Sequence, residues 1–162
     1  MSHTNIDFFE ILRILSEHDV KFIVVGGVSA LLNGAPVMTF DLDIVHERSP
    51  QNINLLLSAL KQLQAHYRYH PNKIEPNESH LESTGHQLLN TLHGPLDILG
   101  QIDDQKDYNQ LLPYSHEVEL LENTFHVLDL DMLIEVKKRA NRDKDRAVLP
   151  VLEVTLKEQK DS

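Results

Sequence analysis

The sequence predicts an α/β fold in which helices pack on a mixed β-sheet. Three observations predict it. The apolar, β-branched run Lys21 to Val25 reads as a buried strand that stops at Gly26-Gly27. Apolar residues at helical spacing stand on both sides of that run. Further strand-like and helix-like stretches then follow along the chain, an order expected of a helix layer on one sheet.

The elements can be justified in turn. Thr4 and Asp7 resemble a capping box, and Phe8, Ile11, Leu12 and Leu15 share one stripe, so residues 5–17 read as a helix. Residues 21–25 are the first strand. Val28 to Leu32 is a short helix stopped by Asn33-Gly34. Thr39 to Glu47 alternates and reads as the second strand. Ser49 then caps, with Pro50 at the first helical position, and Ile53, Leu56, Leu57, Leu60 and Leu63 make 50–65 a helix. The polar stretch 68–84 reads as a loop. Strands are expected at 87–93 and 96–102, joined by a turn at His93-Gly94-Pro95. Residues 103–113 offer at most a short helix. A hairpin over 117–128 should turn at Glu122-Asn123, and Asp131 to Arg142 is helical. Asp143 to about Glu153 reads as another helix, interrupted by Pro150. The reading is therefore one domain over 1–156 and a charged, frayed tail over 157–162.

Composition narrows the function. The chain has 162 residues, 15 Lys+Arg against 25 Asp+Glu, and a net charge of −10. Such a surface does not grip DNA or anionic lipid non-specifically. There is no Cys, which excludes disulfides, thiol nucleophiles and iron–sulfur ligation. No apolar run is long enough to span a bilayer, and the first ten residues do not resemble a signal peptide, so the expected location is cytoplasmic.

Four clusters could carry chemistry. The strand–Gly26-Gly27–helix turn could present backbone amides to a phosphate, with Ser29 adding a hydroxyl; a tight turn that simply needs glycine reads the same way. Asp41 and Asp43 are two apart on a strand, so their carboxylates share a face while Leu42 and Ile44 take the other. Paired carboxylates ask for a hard cation such as Mg²⁺ or Mn²⁺, although a solvated strand face is the ordinary alternative. Asp97, between Leu96 and Ile98, is a third acid inside an apolar strand; by itself it reads as an ordinary strand-edge acid, and beside the pair it would complete a carboxylate triad. Finally Lys137, Lys138, Arg139, Arg142, Lys144 and Arg146 crowd a short stretch, either to meet phosphates or to pair with Glu135, Asp143 and Asp145. Histidines 66, 70, 80, 86 and 93 form no metal-binding pattern and read as surface residues.

Together these segments resemble the nucleotidyltransferase fold of the DNA polymerase β type: a Gly-Gly turn opening a helix, D-x-D on the next strand, and a later Asp. More narrowly, VVGGVSALLNGAPVMTFDLDIV resembles small bacterial proteins related to the AbiEii-type toxins. Their R-x-T before D-x-D is met by Thr39, with Val37 where the Arg would stand. Their K-x-x-A and R-x-x-D motifs are met by Lys137 with Ala140 and Arg142 with Asp145. The resemblance implies transfer of a nucleoside monophosphate from an NTP to a hydroxyl of RNA, protein or a small molecule. It implies two Mg²⁺ (or Mn²⁺) ions on Asp41, Asp43 and Asp97, phosphates held by Gly26, Gly27, Ser29 and Lys137, and supporting roles for Thr39, Arg142, Lys144 and Asp145. tRNA is one such acceptor, and a cognate toxin or antitoxin and a phage-defence role are further implications. The competing expectation is a nucleotide-binding or protein-interaction module on the same fold.

Overall fold

In the computed structural model, which describes residues 6–162, the first helix begins where a carboxylate can cap it. Asp7 Oδ1 accepts the Glu10 amide at 3.2 Å, and α1 runs Phe8–Glu17. The Thr4 end of the expected capping box lies outside the described residues. Then come β1 (Phe22–Val25), α2 (Gly26–Leu32), β2 (Leu42–His46) and α3 (Pro50–Gln62), in the expected order. Ser49 caps α3 by accepting the Asn52 amide at 3.2 Å.

The stretch 68–84 is not all loop. A two-residue strand, β3 (His66–Tyr67), precedes it, and α4 (Glu78–Glu82) lies within it. Asn77 and His80 cap α4 reciprocally: Oδ1 of Asn77 takes the His80 amide, and Nδ1 of His80 takes the Asn77 amide, each at 3.0 Å. Histidine thus fills the position where a capping box normally has Glu or Gln, which hid the helix from pattern reading. Strands β4 (His86–Thr91) and β5 (Gly94–Leu99) turn at Leu92-His93, earlier than expected. Thr91 Oγ1 sets that turn, taking the His93 amide at 3.0 Å and donating to the Gly94 carbonyl at 2.8 Å.

Beyond β5, 3₁₀ turns at Asp103–Gln105 and Leu112–Tyr114 flank α5 (Tyr108–Leu111). The last hairpin, β6 (Ser115–Leu120) and β7 (Asn123–Leu128), turns at Leu121-Glu122. Both of those residues have positive φ, 49° and 71°, as the sharp twist of a two-residue hairpin loop requires. Helix α6 (Leu130–Ala140) ends on Asn141 in the left-handed region, and α7 runs Asp143–Asp161. The C-terminal stretch expected to fray is therefore helical to Asp161, and Pro150 sits inside α7 on an exposed face. The Gln159 side chain donates to the Asn33 carbonyl at the end of α2.

All seven strands form one mixed sheet, in the order β3-β4-β5-β2-β1-β7-β6. β2 is antiparallel to β1 and parallel to β5. Helices flank the sheet on both faces, as expected of a mixed sheet flanked by helices. On one face Ile11, Leu12 and Leu15 of α1 and Ile53, Leu56 and Leu60 of α3 pack on Phe22, Val24, Leu42, Ile44, Leu96 and Ile98. On the other, Ile23, Val25, Val45 and Leu99 meet Leu111, Leu133, Ile134 and Leu152. Every residue of β1 is buried, as in a strand enclosed on both sides. No helix among the described residues is long and apolar enough to cross a membrane.

Candidate active site

Parity along two parallel strands builds the site. Leu42 and Ile44 of β2, and Leu96 and Ile98 of β5, point into the α1/α3 core and are fully buried. The intervening residues must face the other way. Asp43 stands directly opposite Asp97 in the β2–β5 register, and Asp41 lies one step before β2. One oxygen from each of Asp41, Asp43 and Asp97 lies within 4.8 Å of the other two. Among the described residues no other group of acids or histidines converges in this way.

Crowding has an electrostatic consequence. Burial, reinforced by the charge of Asp97, a hydrogen bond to Asp97 and the charge of Asp41, pushes the Asp43 carboxyl up to about 7; Lys137 offsets part of this rise. A carboxylate set that cannot comfortably hold all its charge fits a hard divalent cation, whose ligands are carboxylate oxygens.

The glycine turn is shaped around the same carboxylates. Gly26 has φ +67°, and a Cβ there would sit 2.3 Å from Asp43 Oδ2. A side chain is excluded both by conformation and by the acid. A Cβ on Gly27 would meet Thr39 Oγ1 at 2.6 Å. Thr39 in turn donates to the Asp41 carbonyl at 3.0 Å, fixing the approach to β2. Ser29 is fully buried, and its hydroxyl donates to the Gly26 carbonyl at 2.6 Å. It braces the turn.

Lys137 reaches this region from α6. Its side chain is largely buried, its ammonium lies 3.5 Å from Asp145 Oδ1, and its charge acts on Asp43. Asp145 is fully buried at the start of α7. Burial would raise its carboxyl, but hydrogen bonds and charge from Arg142 and the nearby Lys137 hold it below the usual range. Arg142 donates from Nε at 2.7 Å and from its amide at 3.1 Å to Asp145 Oδ2. Arg142 and Asp145 therefore form a cap that steadies Lys137. Lys144 is exposed on the first turn of α7 and takes no part in the described ion pairs.

The remaining basic residues are consumed locally. Lys138 pairs with Glu153 at 3.2 Å, Arg139 with Glu135 at 3.2 Å, and Arg146 with Asp143. The basic cluster is a laced helix surface. One cation the sequence reading missed does stand in the site: Arg68 Nη2 lies 2.7 Å from Asp97 Oδ1. It follows a strand of two residues, too short to be read from periodicity.

No protein-family model and no curated protein matches the chain. Solved structures do. One is a protein from Thermotoga maritima provisionally described as a nucleotidyltransferase, 18% identical, with a TM-score of 0.57 over 91% of this chain and 94% of that one. Another is the lincosamide antibiotic adenylyltransferase LnuA with lincomycin bound, 14% identical, with a TM-score of 0.61 over 92% and 98% of the two chains. A third is the antibiotic-resistance factor ANT(2'')-Ia, 13% identical, with a TM-score of 0.58 over 92% and 82%. The chain has the nucleotidyltransferase fold. At these identities the likeness is one of fold, and the three carboxylates come from the residues of this chain.

Proposed function

We propose that this protein is a metal-dependent nucleotidyltransferase that moves a nucleoside monophosphate from an NTP to a hydroxyl group. The observation that carries the reading is the meeting of Asp41, Asp43 and Asp97 on one sheet face beside the Gly26-Gly27 turn. A fold shared with adenylyltransferases supports it. The acceptor oxygen attacks the α-phosphorus, the α–β phosphoanhydride bond breaks, and pyrophosphate leaves.

Asp41, Asp43 and Asp97 would hold Mg²⁺ or Mn²⁺, two ions in this reading, which supply charge neutralisation and make the acceptor hydroxyl more acidic. Asp97 accepts the hydroxyl proton at a carboxylate oxygen. The Gly26 and Gly27 amides cradle the β- and γ-phosphates, with Ser29 acting through the shape of the turn. Lys137, steadied by Arg142 and Asp145, offsets the charge that grows on the departing phosphates. Thr39 holds the D-x-D entry in place.

Two of the similar structures are a lincosamide adenylyltransferase and an antibiotic-resistance factor, so a small-molecule hydroxyl belongs beside RNA and protein as an acceptor. The toxin–antitoxin and phage-defence roles form part of the same proposal when the acceptor is a cellular RNA or protein. The test is incubation with each labelled NTP and Mg²⁺, separately with tRNA, with cell protein and with lincomycin, following label transfer and pyrophosphate release. Labelled acceptor with pyrophosphate supports transfer. Metal-dependent NTP binding with neither product supports the nucleotide-binding module instead.

A further inference from the structure

The row of the sheet that carries the carboxylates continues beyond them. Asp43 is opposite Asp97, Asp97 is opposite Leu88, and the Leu88 carbonyl accepts the Arg68 amide at 3.0 Å. Arg68 therefore enters from the sheet edge and reaches across β4 to Asp97. Its guanidinium is held at three points. Nη2 donates to the Leu89 carbonyl at 2.8 Å and to Asp97 Oδ1 at 2.7 Å, and Nε donates to Asn90 Oδ1 at 3.3 Å. The Arg68 side chain is only 15% exposed, and its Cζ lies 5.7 Å from the exposed ring of Tyr69. A surface ion pair is loose and screened; this one is anchored to the backbone of the neighbouring strand and cannot swing away without breaking those bonds.

We infer that Arg68 is a positioning residue for the carboxylate cluster: it holds one oxygen of the Asp97 carboxylate in place and sets a permanent positive charge against the cation site. The two parts act in opposite directions. A fixed carboxylate favours turnover, because a group that orients a ligand sets its geometry. A fixed guanidinium opposes a free divalent cation, because like charges repel in a partly buried site. Only the turnover part rests on the transfer reading above.

Two variants separate these parts. Arg68→Met keeps the apolar stem and removes both charge and fork; Arg68→Lys keeps the charge and removes the fork. Mn²⁺ binding to the nucleotide-free protein is measured by calorimetry, and transfer kinetics are measured alongside. In Arg68→Met, Mn²⁺ binds more tightly than in wild type while kcat falls about 10–100-fold. KM for the NTP stays within about threefold, as for a group that does not touch it. In Arg68→Lys, Mn²⁺ affinity returns to the wild-type value and kcat stays low. Unchanged or weaker Mn²⁺ binding in a folded Arg68→Met overturns the inference. So does a raised KM with normal kcat, which would make Arg68 a phosphate contact, or full recovery of kcat in Arg68→Lys. If the wild type transfers nothing to any acceptor, the transfer reading fails on its own, and the Mn²⁺ measurements still decide whether Arg68 governs the cluster.

Discussion

The α6–α7 surface and the β2–β5 face are both dense in charge, yet they differ in what the charges find. On α6 and α7, Lys138, Arg139 and Arg146 each meet a carboxylate on the same helix or the helix beside it. On the sheet, Asp41, Asp43 and Asp97 meet mainly each other, with Arg68 at one edge and Lys137 at another. A charge cluster marks a site when its members are left facing one another, and a scaffold when each is answered nearby. Counting charges in the sequence favours the basic run; following partners favours the acids.

The comparison breaks most decisively at Asp43. Asp43→Ala is expected to abolish metal-dependent NTP binding in calorimetry while leaving the metal-free melting temperature equal to or above that of wild type, since one of three crowded charges is gone. A collapsed melting temperature would instead make the acids structural. The next largest effect separates two neighbouring lysines. Lys137→Ala should weaken triphosphate binding by about 1–3 kcal/mol, the range for a charge-assisted hydrogen bond. Lys138→Ala, with its ammonium on Glu153, should leave that binding nearly unchanged. Similar, salt-screened losses at both positions would dissolve the distinction between the two regions.

A pH series sharpens it further. Asp43 rises from an ordinary carboxylate value near 4 when unfolded to about 7 when folded. Between those values the folded protein holds more protons than the unfolded one, so the Asp43 contribution to stability falls as pH rises from about 4 to about 7 and is flat above. Buried His46, whose imidazole burial pushes down, acts oppositely below its usual value. The clean measurement is therefore the metal-free melting temperature of wild type minus that of Asp43→Asn, which cancels His46. That difference should become more negative from pH 5 to pH 8, and a level difference would sink the claim of crowding. The smallest effect is on the scaffold side. A double-mutant cycle on Lys138 and Glu153, both about half exposed, should return a coupling of about 0–1 kcal/mol that shrinks in high salt.

What the sequence made legible follows the same division. Asp43 and Asp97 could be grouped because an acid between buried apolar residues violates the pattern of its own strand, and strand parity then fixes its face; Asp41 joined them through its two-residue spacing from Asp43. The order of helices and strands was legible for a similar reason: stripes such as Ile53, Leu56 and Leu60 are long enough to show a period. β3 and α4 were not, being two and five residues long, with His80 standing in for the usual capping acid. Arg68 was invisible because its ion pair with Asp97 comes from the β3–β4–β5 pairing and from no local motif. Ser29 was visible but ambiguous: a hydroxyl beside a glycine turn can face a ligand or the turn, and here it donates to the Gly26 carbonyl.

The shared register of β2 and β5 also bears on how this chain tolerates change. The same alternation that buries Leu96 and Ile98 turns Asp97 toward Asp43, so a slip of one residue would drive a carboxylate into the α1/α3 core and lift leucine or isoleucine into the site. Alignment of the acids is thus enforced by oil, and the length of the connection between Arg68 and β4 has no part in it. Residues 70–75 of that connection are all exposed. Changes there leave the β2–β5 register and the mutual distances of the carboxylates intact, although the segment is tied back to β3 where the Ile74 carbonyl accepts the Tyr67 amide at 2.9 Å.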